Sequence, residues 1–270
     1  SLTAVPFFIM AGNLMNVTGV TERIFAFANA LVGHLKAGLA QVNILSSMIF
    51  AGISGAAVAD CAGLGAIEIK AMREAGYKPD FAAAITVASS VIGPLIPPSI
   101  GLVIYAFLAQ QSIERMFLAG LVPGILVGLA LMIYVRLRAG FQDFPTQPRA
   151  TVREVAHTAQ HGFAALMAPA IILGSIMFGF VTATEAGVLA CLYCIFLGVW
   201  YRELTLGKFF SALSDTAMMT AVIMIIIAFS IAMGWLLAID QTPQKLADFT
   251  FSFTENKNVF LGLLLIFIIL

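Results

Sequence analysis

Charge is the scarcest ingredient of this chain. Asp, Glu, Lys and Arg supply 10% of its 270 residues, against about 25% in soluble globular domains. The fourteen basic and fourteen acidic residues cancel, so no net field favours nucleic acid as a partner. Histidine is limited to His34, His157 and His161, all at polar boundaries, where we read them as solvated. An intramembrane serine protease, which needs a base within hydrogen-bond reach of its hydroxyl, is thereby disfavoured. So is a transition-metal site. The three cysteines, Cys61, Cys191 and Cys194, fall in apolar stretches and read as small buried hydrophobes. No GxxxxGK[ST] phosphate loop occurs, which argues against ATP hydrolysis.

What replaces charge is long hydrophobic runs. Apolar residues make up 61% of the sequence and concentrate in segments 37–59, 81–113, 116–135, 162–184, 186–201 and 216–239. Most approach the roughly 20 residues that cross about 30 Å of hydrocarbon. The expected fold is an all-α polytopic membrane protein in a lipid bilayer. Short alternating segments, the mark of a membrane barrel, do not occur.

Two successive runs are interrupted. LAQVNILSSMIFAGISGAAVADCAGLGAIEI breaks at Gly52-Ile53-Ser54-Gly55 and carries a carboxylate at Asp60. FAAAITVASSVIGPLIPPSIGLVIYAFLAQQ breaks at Gly93-Pro94 and again at Pro97-Pro98-Ser99. Prolines remove helical hydrogen bonds and free carbonyls of the preceding turn. Irregular backbone at membrane depth survives only inside protein or against a wet cavity, and paired interruptions point to a transporter's midplane site. Candidate ion- or substrate-binding residues are therefore Gly52, Ser54, Gly55, Asp60, Ser89, Ser90, Gly93, Pro94, Pro97, Pro98 and Ser99. Thr86, Asn43 and Glu185 are secondary. Each has a plainer reading: small-residue packing for the glycines, helix capping for Asp60 and Glu185, backbone bonding for the serines, and a helix-to-helix hydrogen bond for Asn43.

If segment 37–73 enters and leaves on one face and each later long segment crosses once, eleven basic residues fall on one side. Arg115, Lys245 and Lys257 fall on the other. The richer side is then cytoplasmic. The expected organisation is a first repeat over 1–138, with a re-entrant hairpin at about 37–73, a broken helix at about 81–111 and a helix at 116–137. A cytoplasmic linker follows at 139–160, then a second repeat over 161–270. Gly12–Ile24 laid over Gly234–Leu246 matches Gly with Gly and Leu14 with Leu236. The charge count sets these two segments on opposite faces, as in an inverted repeat.

Four ordered motifs, PFFIMAGNLMNVTGVTERI (6–24), ALVGHLKAGLAQVNILSSMIFAGISGAAVAD (30–60), ASSVIGPLIPPSI (88–100) and FLAGLVPGIL (117–126), make the chain resemble the large membrane subunit of TRAP (tripartite ATP-independent periplasmic) transporters. TATEAG (182–187) extends the likeness. The resemblance implies an inverted-repeat, elevator-type carrier in a bacterial or archaeal inner membrane, with no cofactor beyond sodium as coupling ion. It also implies two partners, a small membrane subunit and a periplasmic substrate-binding protein. The implied activity is sodium-coupled import of a small organic anion: a C4-dicarboxylate, sialic acid or another carboxylate. Alternatives are a sodium:dicarboxylate symporter working without a binding protein, and a channel subunit. Ala56 and Ala57 stand where the family pattern often has another hydroxyl residue, and Lys70 where proline is common. Beginning at Ser1 and stopping within an apolar run, the sequence reads as a fragment whose second hairpin would follow Leu270.

Overall fold

The computed structural model describes residues 2–140, 144–253 and 257–269, and among them there are helices and no strands. Two compact units, Ser1–Thr220 and Ala221–Leu270, are separately organised. The first holds the interrupted segments. Four of its features position the candidate site.

Helices α1 (Ala4–Val17) and α2 (Val20–Val32) are joined at a 71° bend. Gly19, at φ 73°, makes that bend, in the left-handed region that suits glycine. Helix α1 packs on α10 (Ala183–Trp200) and α2 on α9 (Val152–Met177). Small residues bring the helices close: a Cβ at Gly187 would lie 2.8 Å from Phe7 Cβ, and one at Gly198 2.5 Å from Thr18. Cys191 and Cys194 are buried without a disulfide, as expected of small hydrophobes, whereas Cys61, in a π-helical turn, is only half-buried.

The hairpin is present. Helix α3 (Gly38–Ser54) ends at Gly55, whose φ of 61° reverses the chain. The return arm starts with a helical turn, α4 (Ala57–Ala59), passes through a π-helical turn over Asp60–Leu64, and ends as α5 (Gly65–Glu74). The arms are antiparallel, since Ser47 faces Asp60 while Asn43 faces Glu68. At 17 residues α3 rises only about 25 Å, short of a full crossing. One continuous helix across the segment is ruled out by the Gly55 turn.

The second interruption separates α6 (Pro79–Ser90) from α7 (Ile100–Leu108). Residues 91–99 between them are a tight run of turns with a cis Pro97-Pro98 peptide. Helix α8 (Ile113–Arg138) holds this loop through a glycine stripe. A Cβ at Gly120 would lie 2.6 Å from the Leu95 carbonyl, one at Gly124 3.1 Å from Ile96 N, and one at Gly128 against Met48 of α3. Glycine spacing of four along one helix face permits this backbone approach.

Among the described residues, four helices are long and apolar enough to cross a membrane: α8, α9, α10 and α11 (Leu206–Ile239). The bent pair α1–α2 makes a fifth if counted as one span. One boundary departs from expectation. Helix α9 starts at Val152, inside the segment assigned to the linker, because Thr151 and Glu154 form a reciprocal capping box. Thr151 N donates to Glu154 Oε2 at 2.6 Å and Glu154 N to Thr151 Oγ1 at 3.2 Å, satisfying two free amides at the helix start. Helices α12 (Thr242–Phe253) and α13 (Lys257–Ile269) pack together in the second unit.

Candidate ion and substrate site

The hairpin tip and the proline break are interlocked. Ile100 N donates to the Gly55 carbonyl at 3.2 Å. A Cβ on Gly55 would collide with the Pro98 carbonyl oxygen, and its next neighbours, Pro98 C and Ser99 Cα, are at 3.0 and 3.1 Å. From the other side, a Cβ on Gly93 would stand 3.2 Å from the Ala56 carbonyl carbon and from Ala57 N. Each interruption therefore uses the other as its partner away from lipid, as irregular membrane backbone requires. Gly52, Gly55, Gly93, Pro97, Pro98 and Ser99 are all buried, and Pro94 is half-buried.

The hydroxyl candidates separate by their hydrogen bonds. Ser99 caps α7: its Oγ accepts from Leu102 N at 3.2 Å and donates to the Pro94 carbonyl at 2.5 Å. Ser90 bonds back to Val87 O at 2.8 Å. Ser89 donates to Asn43 Oδ1 at 2.6 Å and accepts from Ser47 at 3.3 Å, while Asn43 Nδ2 donates to Thr86 Oγ1 at 2.8 Å. Asn43 thus ties α3 to α6, the helix-to-helix role the sequence favoured for it. Ser54 differs. It is fully buried, packs against Gly12 of α1, and its Oγ has no partner. It is the free hydroxyl at the tip.

Asp60 opens the π-helical turn, with 2% of its surface exposed and no hydrogen-bond partner for either carboxylate oxygen. π-turns inside α-helices recur at functional positions because the extra residue re-aims side chains and frees carbonyls. Asn16 of α1 covers this turn, donating Nδ2 to the Ala59 carbonyl at 3.3 Å and lying directly over Gly63. Glu185 stays outside the site. It is exposed and forms a capping box with Thr182, accepting from Thr182 N at 2.7 Å. His157 and His161 are exposed as expected; His34 is half-buried with Nδ1 unpartnered.

Sequence reasoning missed Glu68. The candidates drawn from the sequence include Asp60 as the carboxylate of the hairpin and leave Glu68 out. Glu68 is 1% exposed on α5, with both oxygens unpartnered. Its i+4 neighbour Met72 is also buried. That spacing was the available signal that position 68 lies on the inward face. Asn16, likewise missed, sits in a motif used above for repeat matching and for the family resemblance.

Over residues 1–270 the chain matches the family described as "Tripartite ATP-independent periplasmic transporter, DctM component". It is 45% identical over 272 residues to the sialic acid TRAP transporter large permease protein SiaM of Vibrio cholerae, covering 99% of this chain and 64% of that one. The sialic acid TRAP transporter permease protein SiaT of Haemophilus influenzae is 42% identical over 92% of this chain and 40% of its own length. The C4-dicarboxylate TRAP transporter large permease protein DctM of Pseudomonas aeruginosa is 38% identical, with coverage of 92% and 58%. The chain therefore spans less than two thirds of these relatives' lengths. It belongs to the DctM-component family of tripartite ATP-independent periplasmic transporters, a family of membrane transport proteins rather than of enzymes.

Proposed function

We propose that the full protein containing this chain imports a small organic anion coupled to sodium. The solute is handed over by a periplasmic binding protein, and a small membrane subunit is the third component. The observation that carries this reading is the interlock between Gly55 and Pro98–Ile100, with the Ser54 hydroxyl buried and unpartnered beside it. Carbonyls and hydroxyls of broken membrane helices are suited to a hard monovalent cation, and opposed helix ends to an anionic solute. Ser54, Gly55, Asp60 and the 93–99 loop line such a site. Ser89, Ser90 and Ser99, bonded to neighbours, shape it rather than ligate.

A carboxylated sugar such as sialic acid is our first choice of solute, because the relatives at 45% and 42% identity are named for it. C4-dicarboxylates follow. Inward movement against about 100 mV (inside negative) costs roughly 2.3 kcal/mol for a monoanion such as sialic acid and roughly 4.6 kcal/mol for a dicarboxylate dianion, at about 2.3 kcal/mol per charge. One sodium ion cancels the electrical cost of the monoanion and two cancel that of the dianion, and the concentration gradient or a further ion supplies net drive. The test is uptake by the full-length complex in liposomes, over a panel of sialic acid and dicarboxylates, with the sodium gradient imposed or withheld. Equal uptake in both conditions refutes ion coupling.

A further inference from the structure

Away from the tip, between the hairpin arms and α6, lies a second polar cluster. Glu68 and Asp60 are 1% and 2% exposed, and all four of their carboxylate oxygens lack hydrogen-bond partners. The two carboxylates act on each other electrostatically, Asn43 is the polar neighbour of Glu68, and Ser47 that of Asp60. Ser89 links Ser47 to Asn43 through bonds of 3.3 and 2.6 Å. The result is a continuous buried row: Asp60, Ser47, Ser89, Asn43, Glu68. Thr86 flanks it, its methyl 2.7 Å from where a Cβ on Gly65 would stand. Among the described residues the ion pairs are Lys208–Glu203 and Lys245–Asp240, so no basic side chain pairs with either buried acid.

Two like charges in one dry interior are strongly unfavourable unless something compensates them. Asn43 cannot do so alone. Its Nδ2 carries two hydrogens, one of them engaged with Thr86, so it can offer Glu68 at most one, and its Oδ1 adds a further oxygen to the cluster. We propose that Glu68, with Asn43 and under the field of Asp60, holds a sodium ion within the hairpin, distinct from the tip and on its cytoplasmic side. The donors are all oxygens, which suits a hard cation. No group of three or more His, Cys, Asp or Glu residues that could hold a metal occurs among the described residues. One carboxylate in contact, with neutral oxygens around it, balances the charge of a monovalent ion. Glu68 and Asp60 both face α3, eight residues apart on the return arm.

This inference rests on the sodium-coupled reading above, and its test separates the two. The full-length permease with its small subunit and binding protein is reconstituted, and radioactive sodium and substrate fluxes are measured together for wild type and Glu68→Gln. The expected result is retained, sodium-driven uptake with one fewer sodium per substrate and one fewer positive charge per turnover. An unchanged ratio overturns the inference while leaving sodium coupling standing. A variant that keeps the sodium ratio but loses a dependence on internal pH shows a proton at Glu68 and overturns it equally. Absence of sodium dependence in wild type removes both readings. Glu68→Leu provides a check independent of transport. In sodium-free detergent it melts higher than wild type, because a buried carboxyl group with unpartnered oxygens is gone, and sodium raises its Tm less. Equal sodium-induced shifts in both proteins contradict the site.

Discussion

Replacing Gly55 with Ala tests the interlock at its narrowest point. Gly55 sits at φ 61°, and its carbonyl receives Ile100 N at 3.2 Å. A left-handed backbone costs an L-residue about 1–2 kcal/mol. The methyl group must also displace the Pro98 carbonyl it would strike, weakening the bond to Ile100, whose loss is worth about 0.5–1.5 kcal/mol. Together these make about 1.5–3.5 kcal/mol, or about a 10- to 300-fold loss of the interlocked arrangement at about 1.4 kcal/mol per tenfold. The matching control is Gly179→Ala. Gly179 has φ 73° but nothing within 4 Å of its added Cβ, so it bears the backbone cost without the collision and lies far in sequence from the site. Sodium-driven uptake by the full-length complex, normalised to the amount of folded permease, is the assay. Gly55→Ala is expected to fall at least tenfold and Gly179→Ala to stay within about twofold. Equal activities refute the claim that contact between tip and break is required for transport.

Further outcomes follow from the same contacts. Asn43→Ala removes the links to Thr86 and Ser89, and each buried group left unpartnered costs about 1–3 kcal/mol; reversible denaturation in detergent should show that loss. Gly120→Leu forces a side chain against the Leu95 carbonyl, 2.6 Å from the Cβ position, and should lower thermal stability by about 1–3 kcal/mol; an unchanged Tm argues against the glycine-stripe contact. At the start of α9, bonds from the Thr151 amide and hydroxyl hold the Glu154 carboxyl below its ordinary value of 4.5. A lowered folded-state value means the cap stabilises fully above that ordinary value and is lost as pH falls through the lowered one. Amide-exchange protection of residues 152–155, corrected for intrinsic rate, should therefore hold from neutral pH to about 5 and decline in stronger acid. Cysteines introduced at Lys78 and Arg153 should label from the cytoplasmic face and one at Arg115 from the periplasmic face; the reverse pattern overturns the orientation drawn from basic residues.

The hairpin and the break were legible because their signals are covalent. Glycine and proline alter backbone options wherever they stand, and at 17 residues between turns α3 has no room to cross the bilayer. Their mutual contact followed from the need to bury polar backbone. Which hydroxyls are free was not legible. Ser54, Ser89, Ser90 and Ser99 look alike in sequence, yet bonds to Val87, Pro94 and Asn43 occupy three of them and leave Ser54 open. Glu68 was hidden by its neighbourhood, since Lys70, Arg73 and Glu74 made it resemble a solvated helix end. The start of α9 lies inside the segment assigned to the linker, where the Thr151 and Glu154 capping spacing went unused.

The account's central claim is that the tip of this hairpin and the facing loop enclose a sodium-dependent binding site. Ala56, half-buried at the tip and within reach of Gly93, gives direct access to it. In a full-length permease with Cys61, Cys191 and Cys194 replaced, the rate at which a small charged thiol reagent modifies Ala56→Cys is measured with and without sodium and substrate. The account predicts that sodium slows modification and that sodium with substrate slows it further, while potassium has no effect. Rates identical in sodium and potassium contradict it.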